Sequence, residues 1–216
     1  MANATGVAGK SRRATAPRRR LRPPERRAAL VEAAAALVAE AGLKGVTVEA
    51  IAARAGVTKP VVYAHFDNAA EVLLELMERE HVTLDAAVAA GLEKASTFEE
   101  RLRALSKPYF DRLQQRGSLF RALVVERSDR ALLERWQSQR RDAVVAFLAA
   151  MVQDETGLEP PAAELAAAAL LGAFEAAVQH WWLHPDTKRA AAEAIFETVV
   201  LGAVAGLRTK GQRARR

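Results

Sequence analysis

Apolar residues in this chain recur at helical rather than strand spacing. The first run begins just after Pro23-Pro24, where Leu30, Ala33, Ala34, Leu37, Val38 and Ala41 follow an i, i+3, i+4, i+7 pattern and share one helix face. Gly42 ends that helix. Thr47 can cap a short helix carrying Val48, Ile51 and Ala52, and Gly56 breaks it before Thr58 caps another. The turn Ala55-Gly56-Val57 lets the second short helix cross the first steeply, as in a helix-turn-helix. From about Asn68 a longer helix places Leu73, Met77, Leu84 and Val88 together and ends near Gly91. Thr97 and Glu100 form a capping box for the next helix, which bears Leu102, Leu105 and Phe110 and is expected to bend or break at Pro108. Helices follow near 117–126 and 129–155, and Gly157, Pro160 and Pro161 mark a break. The last two helices, about 161–183 and 187–207, are the most hydrophobic and flank His184-Pro185-Asp186. The pattern predicts an all-α chain without internal repeats.

Composition supports this. Half of the 216 residues are apolar, enough for a substantial core, and alanine-rich stretches favour helices. With no cysteine, disulfides, thiolate metal sites and cysteine nucleophiles are excluded. The apolar stretch from Leu165 to Ala177 contains Glu175 and is too short to span a bilayer, so no membrane partner is expected.

Charge changes the picture because it is concentrated at the ends. Residues 1–24 carry +7 and no acid, and residues 208–216 carry +5, so a net charge of +6 leaves −6 for the stretch between. An acidic body with basic tails attracts polyanions by counterion release, and nucleic acid is the natural partner. The N-terminal stretch reads either as a solvated, disordered arm or as a DNA-contacting one; Pro17, Pro23 and Pro24 argue against an amphipathic targeting helix.

The segment from Arg26 to Leu73 closely resembles the DNA-binding domain of the TetR family. The residues that carry the resemblance are Ala33-Ala34, Gly42, Thr47-Val48, Ile51-Ala52, AGVTKPVVYAHF at 55–66 and Glu71-Val72-Leu73. It covers about a third of the chain; beyond it only helix number and length correspond. The resemblance implies an N-terminal three-helix DNA-binding domain followed by a C-terminal helical domain for ligand binding and dimerisation, about nine helices in all. The expected divisions are a basic arm over 1–24, a DNA-binding domain over 25–67, a ligand-binding and dimerisation domain over 68–207 and a basic tail over 208–216.

A helix entering the major groove must expose short polar and cationic side chains near its start, and Thr58 and Lys59 stand there. Pro60 in the first turn costs little, since its N–H would lack a helical partner anyway. Val62 and Phe66, four apart, should face Ile51, leaving Val61, Tyr63 and His65 on the DNA side. The resemblance implies that Thr58, Lys59, Pro60 and Val61 approach base edges while Thr47, Tyr63 and His65 hold phosphates. One departure is Ala69, where the family usually has a lysine at the start of the fourth helix. Arg26 and Arg27 are expected to compensate from another direction.

Ten of the twelve aromatic residues lie beyond Phe66. By resemblance, Tyr109, Phe110, Leu113, Phe120, Trp136, Phe147 and Phe174 would together line an apolar pocket for an unidentified small effector, although taken singly each is more readily explained as core. Small residues on the last two helices permit close packing. Leu165, Ala169, Gly172 and Ala176 with Ile195, Val199, Gly202 and Gly206 would then form a homodimer interface, and two recognition helices would read a palindromic operator.

The expected function is a bacterial cytoplasmic transcriptional regulator, read as a repressor, bound to the nucleoid when on its operator and released by a largely apolar ligand. An architectural DNA-binding dimer without a ligand is the alternative. A helical-bundle metalloenzyme is weaker: His180 and His184 lack an intervening glutamate, Glu78-x-x-His81 has no second copy, and no phosphate loop, dinucleotide fingerprint or nucleophile elbow is present. No catalytic residue, metal or cofactor is expected.

Overall fold

The computed structural model describes residues 21–124 and 130–214, and side chains within them apart from Val124 and those beyond Arg208. Most of the expected basic arm and the very end of the basic tail lie outside the described residues. Among the described residues the chain is helical, with one 3-10 turn at Leu43–Gly45 and no strand.

Helix α1, Pro23–Ala41, starts on two prolines and is capped by Glu25, whose carboxylate accepts from the Arg22 amide at 2.8 Å. The Thr47 hydroxyl accepts from the Ala50 amide at 3.1 Å and opens α2, Val48–Ala55. Gly56 closes α2 at φ 65°, ψ 38°, a left-handed conformation that a side chain would resist, and turns the chain into α3, Lys59–Tyr63. Thr58 occupies the N-cap of α3 but makes no capping hydrogen bond through its hydroxyl. Asn68 caps α4, Ala69–Leu92, by accepting from the Glu71 amide at 3.1 Å.

Helix α5, Phe98–Val124, opens on the Thr97–Glu100 capping box. Its break is not at Pro108, as the sequence pattern predicts, but at Gly117, with φ 51° and ψ −126°. Only glycine adopts that backbone cheaply, and an added Cβ there would also meet the Trp182 ring at 3.4 Å. Pro108 is carried inside the helix. Helix α6 spans Ala131–Thr156, α7 spans Pro160–Leu183 and α8 spans Arg189–Ala214. Helix α8 therefore runs on through most of the segment expected as a tail, because its lysines and arginines are good helix formers.

Two apolar cores organise the packing. The first joins Leu30, Val38, Ile51, Val62, Phe66 and Leu73 of the N-terminal helices to Leu119, Ala122 and Leu123 of α5 and Leu133 of α6. The second gathers Leu84, Phe110, Leu113 and Phe120 with Val178 of α7 and Phe196, Val200 and Val204 of α8. Two polar ties link the regions: the Ser118 hydroxyl donates to the Ala39 carbonyl at 2.9 Å, and Arg130 donates to the Val46 carbonyl at 2.8 Å. At the α4–α5 seam, Glu80 is 2% exposed and pairs with Arg112 at 2.6 Å and Arg116 at 2.9 Å.

Helices α7 and α8 are long and apolar enough to cross a membrane by length and composition, with mean hydropathies of 1.4 and 1.7 over their most apolar windows. Their packing explains that composition. Each buries one face within the chain, through Ala163, Ala167 and Val178 or Ala192, Phe196, Val200 and Val204, and keeps a second apolar face outside.

Candidate nucleic-acid interface and internal cavity

Helix α3 is anchored from behind and open in front. Val62 and Phe66 are buried in the same core as Ile51, and this fixes the helix's rotation. Thr58, Lys59, Pro60 and Tyr63 are exposed, Tyr63 at 53%, while Val61 and His65 are half-buried. Thr47 is exposed at the start of α2. Lys59 is not solitary: its ammonium pairs with the Glu49 carboxylate at 2.5 Å. The hydrogen bond between them raises the Lys59 pKa and lowers that of Glu49.

The expectation that Arg26 and Arg27 both face DNA is altered by the structure. Arg26 is half-buried on α1. Arg27, although exposed, reaches the end of α3, where it donates to the His65 carbonyl, pairs with Glu75 of α4 at 2.5 Å and covers the Phe66 ring at 4.0 Å. A guanidinium with three internal partners has little left for a phosphate. Sequence reasoning missed this role because Glu75 stands 48 positions away.

Between α4, α5, α6, α7 and α8 lies a cavity of about 700 Å³. Tyr109, Phe120, Trp136, Phe147 and Phe174 line it. Phe110 and Leu113 do not: they are 0% and 1% exposed in the second core, Phe110 packing against Phe174 and Trp181. Adjacent helix positions point about 100° apart, and here Tyr109 is turned to the cavity while Phe110 is turned into the core.

Polar groups occupy one stretch of the cavity wall. The terminal nitrogens of Arg140 form a fork on the Asp85 carboxylate, and Arg141 pairs with Glu175. His81 is 6% exposed, meets Trp136 edge-on at 4.7 Å and has Nδ1 2.9 Å from the Met77 carbonyl. Burial, reinforced by the Arg140 cation, pushes the His81 imidazole down to about 4, so the ring is neutral at pH 7. The Tyr109 phenol is raised, by burial above all, and stays protonated. His180 and His184 stack at 3.9 Å, and no group of three potential metal ligands occurs among the described residues.

The outer faces of α7 and α8 carry the eight residues expected at a dimer interface. Leu165, Ile195 and Val199 are 73%, 63% and 55% exposed; Ala169, Ala176, Gly202 and Gly206 are also exposed, and Gly172 is partly so. A Cβ added at Gly172, Gly202 or Gly206 would meet nothing within 4 Å. Spacings of four, three and four on both helices align them in two parallel stripes.

Comparison with known proteins agrees with this architecture. Residues 30–76 match the family model described as bacterial regulatory proteins, tetR family. A curated relative, the HTH-type transcriptional activator FasR of Mycolicibacterium smegmatis, is 29% identical over 150 residues, covering 68% of this chain and 67% of the relative. A TetR-like transcriptional regulator from Rhodococcus sp. RHA1 superposes with a TM-score of 0.72 at 22% identity, covering 87% of this chain and all of that one. AibR, solved in complex with isovaleryl coenzyme A and operator DNA, superposes with a TM-score of 0.60 at 22% identity, covering 82% of this chain and 96% of that one.

Proposed function

We propose, from the premise that this chain belongs to the tetR family of bacterial regulatory proteins, that it is a homodimeric transcriptional regulator whose hold on a palindromic operator is released by a small, largely apolar effector. The observation that carries this reading is the division of α3: Val62 and Phe66 lock it into the core while Thr58, Lys59, Pro60 and Tyr63 are exposed, Lys59 in a pair with Glu49. In the complex Thr58, Lys59, Pro60 and Val61 meet base edges, and Thr47, Tyr63 and His65, aided by Arg26, hold phosphates.

The two stripes on α7 and α8 pair with their two-fold mates in a four-helix bundle. Two α3 helices then stand one DNA turn apart, about 34–36 Å, and symmetric half-sites follow. The cavity, within the range of about 300–1,000 Å³ usual for small-ligand sites, holds the effector. Isovaleryl coenzyme A in AibR supports an acyl-type molecule. Because α4 contributes both to the cavity wall and to the first core, occupancy of one changes the spacing of the other.

The sense of regulation is read from the sequence as repression, whereas the relative named FasR is an activator. The protein works in the bacterial cytoplasm, on the nucleoid when bound, and is not an enzyme. Footprinting of upstream DNA with the purified chain tests the reading. Protection of a palindrome by a dimer is expected, and a monomer indifferent to every duplex at low salt would overturn it.

A further inference from the structure

Resting on the reading that the cavity takes an effector, we infer that the Asp85–Arg140 pair makes it selective for uncharged amphiphiles, apolar chains ending in an alcohol, ester, thioester or amide, over free carboxylates. Four charged side chains contribute to the wall and are paired with one another: Arg140 with Asp85 through both terminal nitrogens, and Arg141 with Glu175 through one. Arg140 uses both terminal nitrogens on Asp85, the edge a ligand carboxylate would need. A carboxylate entering this wall must compete with Asp85, itself 53% exposed, for the Arg140 fork, or lie without a full cation partner beside the apolar lining.

What the wall offers is uncharged. The Met77 carbonyl can only accept, so Nδ1 of His81 carries the ring proton and Nε2 is left as an acceptor. Burial raises the Tyr109 phenol and keeps it protonated, so its hydroxyl can donate. A donor and an acceptor beside a largely apolar space suit a hydroxyl, or a carbonyl freed of its acid. Asp85 is thereby a specificity-determining residue, since it neutralises the cation that would recruit a fatty acid.

The test uses the full chain and three probes of equal length: dodecan-1-ol, methyl dodecanoate and dodecanoate. Binding is read by quenching of tryptophan emission, Trp136 lying in the wall, and by thermal shift. The alcohol and ester are expected to bind at least about tenfold tighter than the acid, a difference of about 1.4 kcal/mol. Asp85→Asn should strengthen dodecanoate binding about tenfold and leave the ester nearly unchanged. Glu175→Gln, which frees Arg141, should act in the same direction and serves if Asp85→Asn does not fold. Preference for the acid in the parent, an unchanged acid-to-ester ratio in the variants, or binding of none of the three probes would overturn the inference. A parent that shows this preference yet ignores all duplex DNA would instead overturn the regulatory reading alone.

Discussion

The guanidinium of Arg27 lies 4.0 Å from the centre of the Phe66 ring, joining the first turns of α1 to the residue that anchors the end of α3. The same group bonds the His65 carbonyl and Glu75, so three helices meet on one side chain. Arg27→Met is expected to cost about 1–2 kcal/mol in denaturant unfolding, discounted because Arg27 and Glu75 are partly exposed. It should weaken operator binding while leaving the salt dependence of binding unaltered, since no phosphate contact is lost. Glu75→Gln should weaken operator binding too, although removing an acid ordinarily favours DNA. A shallower salt slope in Arg27→Met would show that Arg27 touches phosphate after all.

Lys59 and Tyr63 are expected to separate by what they read. Lys59→Ala should change base preference, at about 1–3 kcal/mol for the affected position. Tyr63→Ala should lower affinity evenly across sequences. Equal operator binding by both variants and the parent, measured by gel shift on a randomised half-site, would remove α3 from the groove.

The buried Glu80 faces two cations across the α4–α5 seam. Glu80→Ala leaves both without an acid and should destabilise the fold by about 3 kcal/mol, the lower end for such losses because both arginines keep some access to water. Unfolding in urea measures this, and a change below about 1 kcal/mol would deny the pair a structural role.

His81 predicts an acid sensitivity. Its imidazole titrates near 4 when folded and near 6.5 when free, so the unfolded chain binds the proton first as pH falls. The stabilisation it supplies is complete above 6.5, declines as pH drops and is gone below about 4, a difference on the order of 3 kcal/mol. His81→Gln should flatten the parent's stability profile across that window. Parallel profiles for the two chains would exclude the effect.

Charges on the outer stripes should dissolve the dimer. Leu165→Glu and Ile195→Glu each place a carboxylate where two apolar surfaces would meet, while disturbing little within the monomer, since both side chains are largely exposed. Sedimentation should show monomers with unchanged helicity and much weaker operator binding. A parent chain that sediments as a monomer would remove this interface.

Features set by local chemistry were legible in the sequence. The Thr47 cap, the Gly56 turn and the Thr97–Glu100 box depend on residues within four positions of each other, and each occurs where spacing placed it. Likewise Val62 and Phe66 face inward because helical phase leaves them no other direction. Features set by distant partners were not legible. Phe110 looks like Tyr109 in sequence, yet α7 decides which of them faces the cavity. Pro108 is the stronger breaker by residue type, but α5 breaks where Trp182 crosses Gly117. The pairing of Arg27 with α4 and the burial of Glu80 depend on partners 48 and 32 positions away.

The core beneath the helix-turn-helix is completed by Leu119, Ala122, Leu123 and Leu133, all donated from α5 and α6. A fragment cut after α4 would forfeit that apolar support and bare the underside of α1 to water. The reader of DNA is thus no portable cassette. Grafting it onto a foreign sensor requires carrying the beginning of α6 as well, and any molecule that loosens those four side chains loosens the grip on the groove.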